Sequence, residues 1–256
     1  MAGPANPLSR RGALLSVAAS GTVLLSGCAA HAQAKAPPAI PPGPATPPAP
    51  SSGPGKHVVR PLPFDPTTLR GLSEKLLVSH HDNNYAGAVK NLNRVEEELA
   101  RVTRDTPAFV LGGLKQSELQ FRASATLHEL YFANLGGDGK AGPAAERAFG
   151  DAHGGFARWE ELFRGVGMSL GGGSGWVVTA WDLHRDAVWT YGAQNHTQAL
   201  AATVPILVMD MYEHAYQMDH GALVAKYIDA FFANVQWDEV GRRIERARRA
   251  ASAIRA

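Results

Sequence analysis

An α+β fold is predicted: a long N-terminal helical hairpin followed by a C-terminal domain with a small three-stranded antiparallel sheet packed with helices. Three observations predict it. Apolar residues recur at helical spacing in two stretches on either side of Thr106-Pro107. β-rich runs from Trp176 to Trp181 and from Ala187 to Tyr191 flank Asp182-Leu183-His184-Arg185-Asp186, the pattern of a hairpin. Between the helical and the β-rich halves stands Gly136-Gly137-Asp138-Gly139, a break that marks a boundary. The organisation that follows is a signal segment at 1–28, a tether at 29–60, the helical hairpin domain at 61–138 and the α/β domain at 139–256.

The first 60 residues are not read as fold. Arg10-Arg11 precede an apolar stretch from Gly12 to Leu25, too short to span a bilayer comfortably. Leu25-Ser26-Gly27-Cys28 then resembles a bacterial lipobox, in which the cysteine becomes the lipidated first residue of the mature protein, and the paired arginines resemble a twin-arginine signal, a general secretory signal being the other reading. The resemblance implies export to the periplasmic or cell-surface side as a lipoprotein anchored through Cys28. From Ala29 to Gly55 the chain is mostly Ala, Pro, Gly and Ser with nine prolines between Pro37 and Pro54, a composition that cannot bury a core and suits a semi-extended tether.

The folded elements follow in order. Ser73 is placed to cap a helix, with Leu72 and Leu77 set for a hydrophobic staple. Leu76, His80, Asn84, Ala88, Leu92, Val95 and Leu99 then mark one inward face. After Thr106-Pro107, Phe121, Ala125, His128 and Phe132 mark the inward face of a second helix. A helix through Phe156 to Phe163 leads to Gly171-Gly172-Gly173 and the hairpin. Ile206 to Met209 supplies a third strand, and helices close the chain from about Leu223.

Composition narrows the chemistry. A net charge of +2 gives no argument for a nucleic-acid partner, and the arginines of the C-terminus (Arg242, Arg243, Arg246, Arg248, Arg249) read as the solvated face of a last helix. Cys28 is the single cysteine, so disulfides within the chain and cysteine metal cages are excluded, and a metal must be held by His, Asp, Glu or solvent. His80 and His128 project from inward faces, and Asp210-x-x-x-His214 follows the third strand. A metal site of these four is plausible from their placement, though spacing alone does not choose among iron, manganese and zinc. The other histidines, His57, His81, His153, His184 and His220, default to the surface. A zinc hydrolase finds no support, because His128-Glu129 lacks the second histidine that such a helix needs.

Several segments together resemble the iron/manganese superoxide dismutase family. Asp210-Met211-Tyr212-Glu213-His214-Ala215-Tyr216 is similar to its metal-ligand signature, with Tyr212 where tryptophan is more usual. Leu62-Pro63-Phe64, His80 with Asn91-Leu92-Asn93, His128-Glu129-Leu130-Tyr131, Gly173-Ser174-Gly175-Trp176 and Val235-Gln236-Trp237 follow the family in order from about Pro61 to Val240. The resemblance implies one iron or manganese per chain, iron slightly favoured, held by His80, His128, Asp210 and His214, with superoxide as substrate. It also implies cavity walls from Tyr131, Trp176 and Tyr212, and a homodimer in which Glu213 bridges to His214 of a second subunit. The chain departs from the pattern around the ligands. Asn84, Tyr85 and Ala88 stand where the family has a His-His pair and a gateway tyrosine, Gln217 where it has tyrosine, and Ser124 where iron members often carry Gln. Asn84 and the loop Gln194-Asn195-His196 are the candidates to contact the bound solvent, His196 favoured. These departures motivate an alternative, a metal-binding lipoprotein of the same fold with weak or no dismutase activity.

Overall fold

The structure, a computed structural model, describes residues 53–255. The signal segment and lipobox at 1–28, and the tether as far as residue 52, lie outside the described residues. Helix α1 (Glu74–Ser79) begins where Ser73 Oγ accepts the Leu76 amide, as the capping pattern predicts. It runs through a π-helical turn, His80–Tyr85, into α2 (Ala86–Leu99). Helix α3 (Ala108–Ala133) starts directly after Pro107 and returns along α2, completing the predicted hairpin.

The π turn corrects the predicted inward stripe. Each i→i+5 turn adds a residue, so Tyr85 takes the buried place read for Asn84, while Ala88 and Leu92 stay buried as predicted. His80 is buried, but the next buried residue is Tyr85, followed by Ala88, Val89, Leu92 and Glu96. Asn84 is only half-buried. On α3 the stripe holds, with Ala125, His128 and Phe132 buried on one face.

Residues 53–60, assigned to the tether on composition, lie against the hairpin. Asn93 clamps His57, its Oδ1 accepting the His57 amide at 2.8 Å and its Nδ2 donating to the His57 carbonyl at 2.9 Å. Glu96, itself buried, accepts from the Gly55 amide, from His57 Nε2 and from Arg122. A short polar segment is ordered here by hydrogen bonds to a buried carboxylate, for which low hydrophobicity carries no signal.

Beyond the glycines, α4 (Pro143–His153) and α5 (Phe156–Leu170) pack with a sheet of β1 (Trp176–Asp182), β2 (Ala187–Ala193) and β3 (Thr203–Asp210). The sheet is antiparallel in the order β2-β1-β3. Helix α6 (Gln217–His220), α7 (Val224–Ala233) and α8 (Trp237–Arg255) close the chain. One core, with Trp159, Phe149, Phe163 and Phe231 among its fully buried members, reaches from Leu69 to Ala251 and joins the two halves read from the sequence.

Sheet register positions the site. β1 pairs Trp176 with Ala193 on one side and Asp210 on the other. The start of β1 therefore lies beside the ends of β2 and β3, and Trp176, His196 and Asp210 gather at one end of the sheet. Gly175 makes this corner. Its φ is +145°, and a Cβ there would stand 2.3 Å from the Ala193 carbonyl oxygen, so only glycine fits.

Arg243 departs from its predicted solvated face. It is 5% exposed, and its guanidinium donates to the Ile206 and Leu130 carbonyls and to Glu239. Ile206 is the residue left over where the β1–β3 register shifts, so its carbonyl has no ladder partner and the arginine supplies the donor. Arg242, Arg246, Arg248 and Arg249 are exposed as expected.

Candidate metal centre

Four side chains from three parts of the fold converge. His80 opens the π turn, His128 sits on the buried face of α3, Asp210 ends β3 and His214 lies in the 3-10 turn Glu213–Ala215. Nε2 of His80, His214 and His128 stand 3.1, 3.3 and 3.6 Å from Asp210 Oδ2. One potential ligand atom from each residue lies within 4.8 Å of all the others. Donor atoms held ~2.1 Å from a common centre at 90–120° are separated by about 3.0–3.6 Å, so the spacings match a shared ion.

The donor chemistry fits as well. His128 Nδ1 lies 2.7 Å from the Ser124 carbonyl, which can only accept, so Nδ1 carries the proton and Nε2 offers a lone pair. That Nε2 is buried without a hydrogen-bond partner, as is Nδ1 of His80. An orphaned imidazole nitrogen aimed at a carboxylate and two other imidazoles is the donor set for a borderline or hard metal ion.

The electrostatics favour neutral imidazoles at His80 and His128 and an ionised carboxylate at Asp210. Burial, with His80 nearby, pushes the His128 imidazole down to about 3, and burial lowers His80 too, so both are neutral at pH 7. Burial opposes ionisation of Asp210, but hydrogen bonds from His214 and His80 outweigh it and hold the carboxyl well below the usual carboxylate range. Its Oδ1 accepts the Tyr212 amide at 2.8 Å, which fixes the direction in which Oδ2 points.

This imposes a pH dependence on the metal-free protein. An unfolded His128 binds its proton near 6.5 and the folded one near 3, so between those values the unfolded chain binds more protons. Stability is therefore present above pH 6.5 and is lost as pH falls towards 3. At pH 4.5 His128 alone is expected to cost about 2–3 kcal/mol relative to pH 7.5. Urea midpoints of the chelator-stripped protein check this, and His128→Leu should remove that part of the slope; a midpoint equal at both pH values would contradict it.

The surroundings place the remaining predicted residues. Trp176 meets the His128 ring edge-on at 5.2 Å, and Tyr131 lies 5.2 Å from the His80 ring. His196 stacks on Tyr212 at 4.7 Å and accepts at Nδ1 from Trp176 Nε1 at 3.0 Å. Asn195 is occupied by its own turn, its Oδ1 accepting from Thr197. Asn84 is not brought in: its side chain makes no hydrogen bond among the described residues, and the π turn puts Tyr85 towards His128 instead, ring centroids 6.3 Å apart. The Tyr85 hydroxyl accepts from the Arg60 amide and donates to Glu129, and burial raises it to about 12.

Tyr227 was not anticipated. Its hydroxyl lies 2.6 Å from the Asp210 carbonyl and 3.3 Å from the Tyr131 hydroxyl. A hydroxyl has one proton and the carbonyl only accepts, so Tyr227 donates to Asp210 and is left to accept from Tyr131. Only the amphipathic pattern of α7 marks this residue in the sequence, and that pattern reads equally as core.

The chain is similar to proteins of one family over most of its length. The C-terminal domain of iron/manganese superoxide dismutases matches residues 141–243. "Superoxide dismutase [Fe]" of Cupriavidus metallidurans is 43% identical over 190 residues, 74% of this chain and 96% of the relative. "Superoxide dismutase [Mn] 1" of Halobacterium salinarum is 34% identical, covering 73% and 94%. "Superoxide dismutase [Fe]" of Aquifex pyrophilus is 30% identical, covering 78% and 98%.

Proposed function

The chain belongs to the iron/manganese superoxide dismutase family, and from that premise we propose that it dismutes superoxide outside the cytoplasm, at a single iron or manganese ion with iron favoured. The observation that carries this reading is the convergence of three imidazole nitrogens on Asp210 Oδ2, with His80, His128 and Asp210 buried. When bound, the ion supplies one-electron chemistry, accepting an electron from one superoxide and returning it to a second, so that oxygen and hydrogen peroxide leave and two protons are consumed. The chain's own residues do the rest. His80, His128, His214 and Asp210 hold the ion with one negative charge among four ligands. Trp176, Tyr131 and Tyr212 keep bulk water and larger molecules from it. His196 presents a proton on Nε2, as its hydrogen bond from Trp176 requires. Iron in the name of the 43% identical relative supports the choice of metal.

Metal analysis of the natively expressed protein, paired with a superoxide assay, tests the proposal. About one iron or manganese per chain with rapid turnover is expected. Stoichiometric zinc, or a loaded protein with no turnover, would reject it, and the second result would favour the non-catalytic alternative.

The same reading includes a homodimer through Glu213 and His214. Glu213 is exposed and the His214 side chain is 26% exposed beside it, so both are available to a second subunit. Sedimentation of the loaded protein checks this, a monomer at micromolar concentration counting against it. Export and anchoring are supported by the lipobox-like Leu25-Ser26-Gly27-Cys28. Each buried acyl CH₂ is worth ~0.8 kcal/mol, so anchoring depends on the Cys28 sulfur. In an exporting bacterial host the wild type is expected in the membrane fraction and Cys28→Ser in the soluble or unprocessed fraction; a wholly soluble wild type would reject the anchor.

A further inference from the structure

The strap formed by residues 53–60 runs along the helical hairpin in a definite direction. Arg60 meets Tyr85, His57 meets Asn93, and Gly55 meets Glu96, each contact further towards the C-terminal end of α2. Gly53 and Pro54 consequently lie beside Leu99, Ala100 and Lys115, where α2 ends and α3 begins. The chain leading back to Cys28 leaves the domain at the tip of the hairpin.

That tip is apolar and uncovered. Phe109 is 82% exposed, and Val110 and Leu111 are each 38% exposed. A Cβ added at Gly112 or Gly113 would meet nothing within 4 Å, so no other described element packs on the helix at these two positions. Of the nearby cations, Arg101 and Lys115 pair with Glu98 and Glu118, while Arg104, in the turn just before α3, makes no ion pair among the described residues. Exposed apolar side chains beside an unpaired arginine suit the boundary between lipid headgroups and acyl chains, particularly where the lipids are anionic.

We propose that the hairpin tip is the membrane-contacting face of the anchored protein, with Phe109 entering the headgroup region and Arg104 against lipid phosphates. The inference rests on anchoring through Cys28. Residues 29–52 span at most about 80 Å, so the tether permits contact without imposing it, and the apolar tip supplies the preference. Contact at the tip holds the metal centre away from the lipid. His80 lies twenty residues before Ala100, about 30 Å along the helix axis.

A single-cysteine probe tests this in membranes of an exporting host. Lipidation consumes the Cys28 thiol, so Phe109→Cys provides one reactive thiol in the full chain, and Leu162→Cys on α5, 44% exposed in the wild type, provides a control. Each is labelled with an environment-sensitive fluorophore, and a lipid carrying a nitroxide quencher is added. The expected result is loss of emission and a blue shift at position 109 with neither at 162. A membrane-bound protein whose position 109 stays unquenched overturns the inference while leaving the anchor standing. So does a disulfide crosslink between two copies of the Phe109→Cys chain in place of quenching, which assigns the tip to an interface between chains. A wild type found wholly soluble overturns the anchor, and the inference falls with it.

Discussion

Asp210→Ala is expected to yield a folded protein with dismutase activity at background and metal content near zero. Asp210 Oδ2 is the point on which the three imidazoles converge, and its carboxylate is the only negative charge in the cage. Without it a divalent or trivalent ion would be held by the three imidazoles alone. Outer-shell partners of metal ligands commonly cost 10–100-fold in affinity, so removing the anionic ligand itself should cost at least ~100-fold. The loss reappears as stability, because an ion at ~100 times its dissociation constant contributes about 2.7 kcal/mol to the loaded protein. Asp210→Asn separates charge from shape, since the amide oxygen still accepts the Tyr212 amide. It should also lose the metal while unfolding like the stripped wild type. Elemental analysis and circular dichroism on the same preparations decide the matter, and full metal retention in Asp210→Ala would reject the assignment.

Much of this centre is legible in the sequence. His80 and His128 announce themselves because a polar residue on an apolar stripe must face inward, and both stripes are correct up to those residues. Asp210 and His214 follow a strand whose apolar run is short and clear. The strands and their hairpin are also legible, because β1 is buried on both faces and β2 follows a polar turn. What is lost has local physical causes. A π turn is invisible to a 3.6-residue period, so within it Tyr85 and not Asn84 takes the buried place, while Ala88 and Leu92 keep theirs. Arg243 looks like its four arginine neighbours, and only a β-bulge elsewhere in the chain gives it a buried carbonyl to serve. Helix α4 is built around Ala145, Ala148 and Phe149, with the small alanines leaving little periodic signal, and its cue is Pro143 at the first turn. The order in residues 53–60 depends on Asn93 and Glu96, polar residues some forty positions away.

His196→Ala is expected to lower turnover tens- to a hundredfold while leaving metal content nearly unchanged. The family's gateway tyrosine position is Ala88 here, so proton delivery must come from another wall of the cavity. His196 is oriented for it. The Trp176 indole nitrogen can only donate, so the Nδ1 it contacts at 3.0 Å is the unprotonated nitrogen and the proton sits on Nε2. Burial lowers the ring's pKa, which keeps it neutral, and stacking on Tyr212 fixes its plane 6.1 Å from the His128 ring. Losing a positioned donor to a buried polar group costs ~2–3 kcal/mol, and if that cost falls on the transition state it amounts to the stated loss in kcat. Two companions distinguish proton delivery from packing. Trp176→Phe keeps the aromatic wall but frees the His196 tautomer, so it should lose less and change the pH profile, which a packing defect would not. His196→Gln restores a donor and should recover part of the rate. Ala88→Tyr offers the alternative donor and, combined with His196→Ala, should raise turnover above the single variant. A His196→Ala protein that is fully metal-loaded and turns over like the wild type would show that the proton arrives by another route.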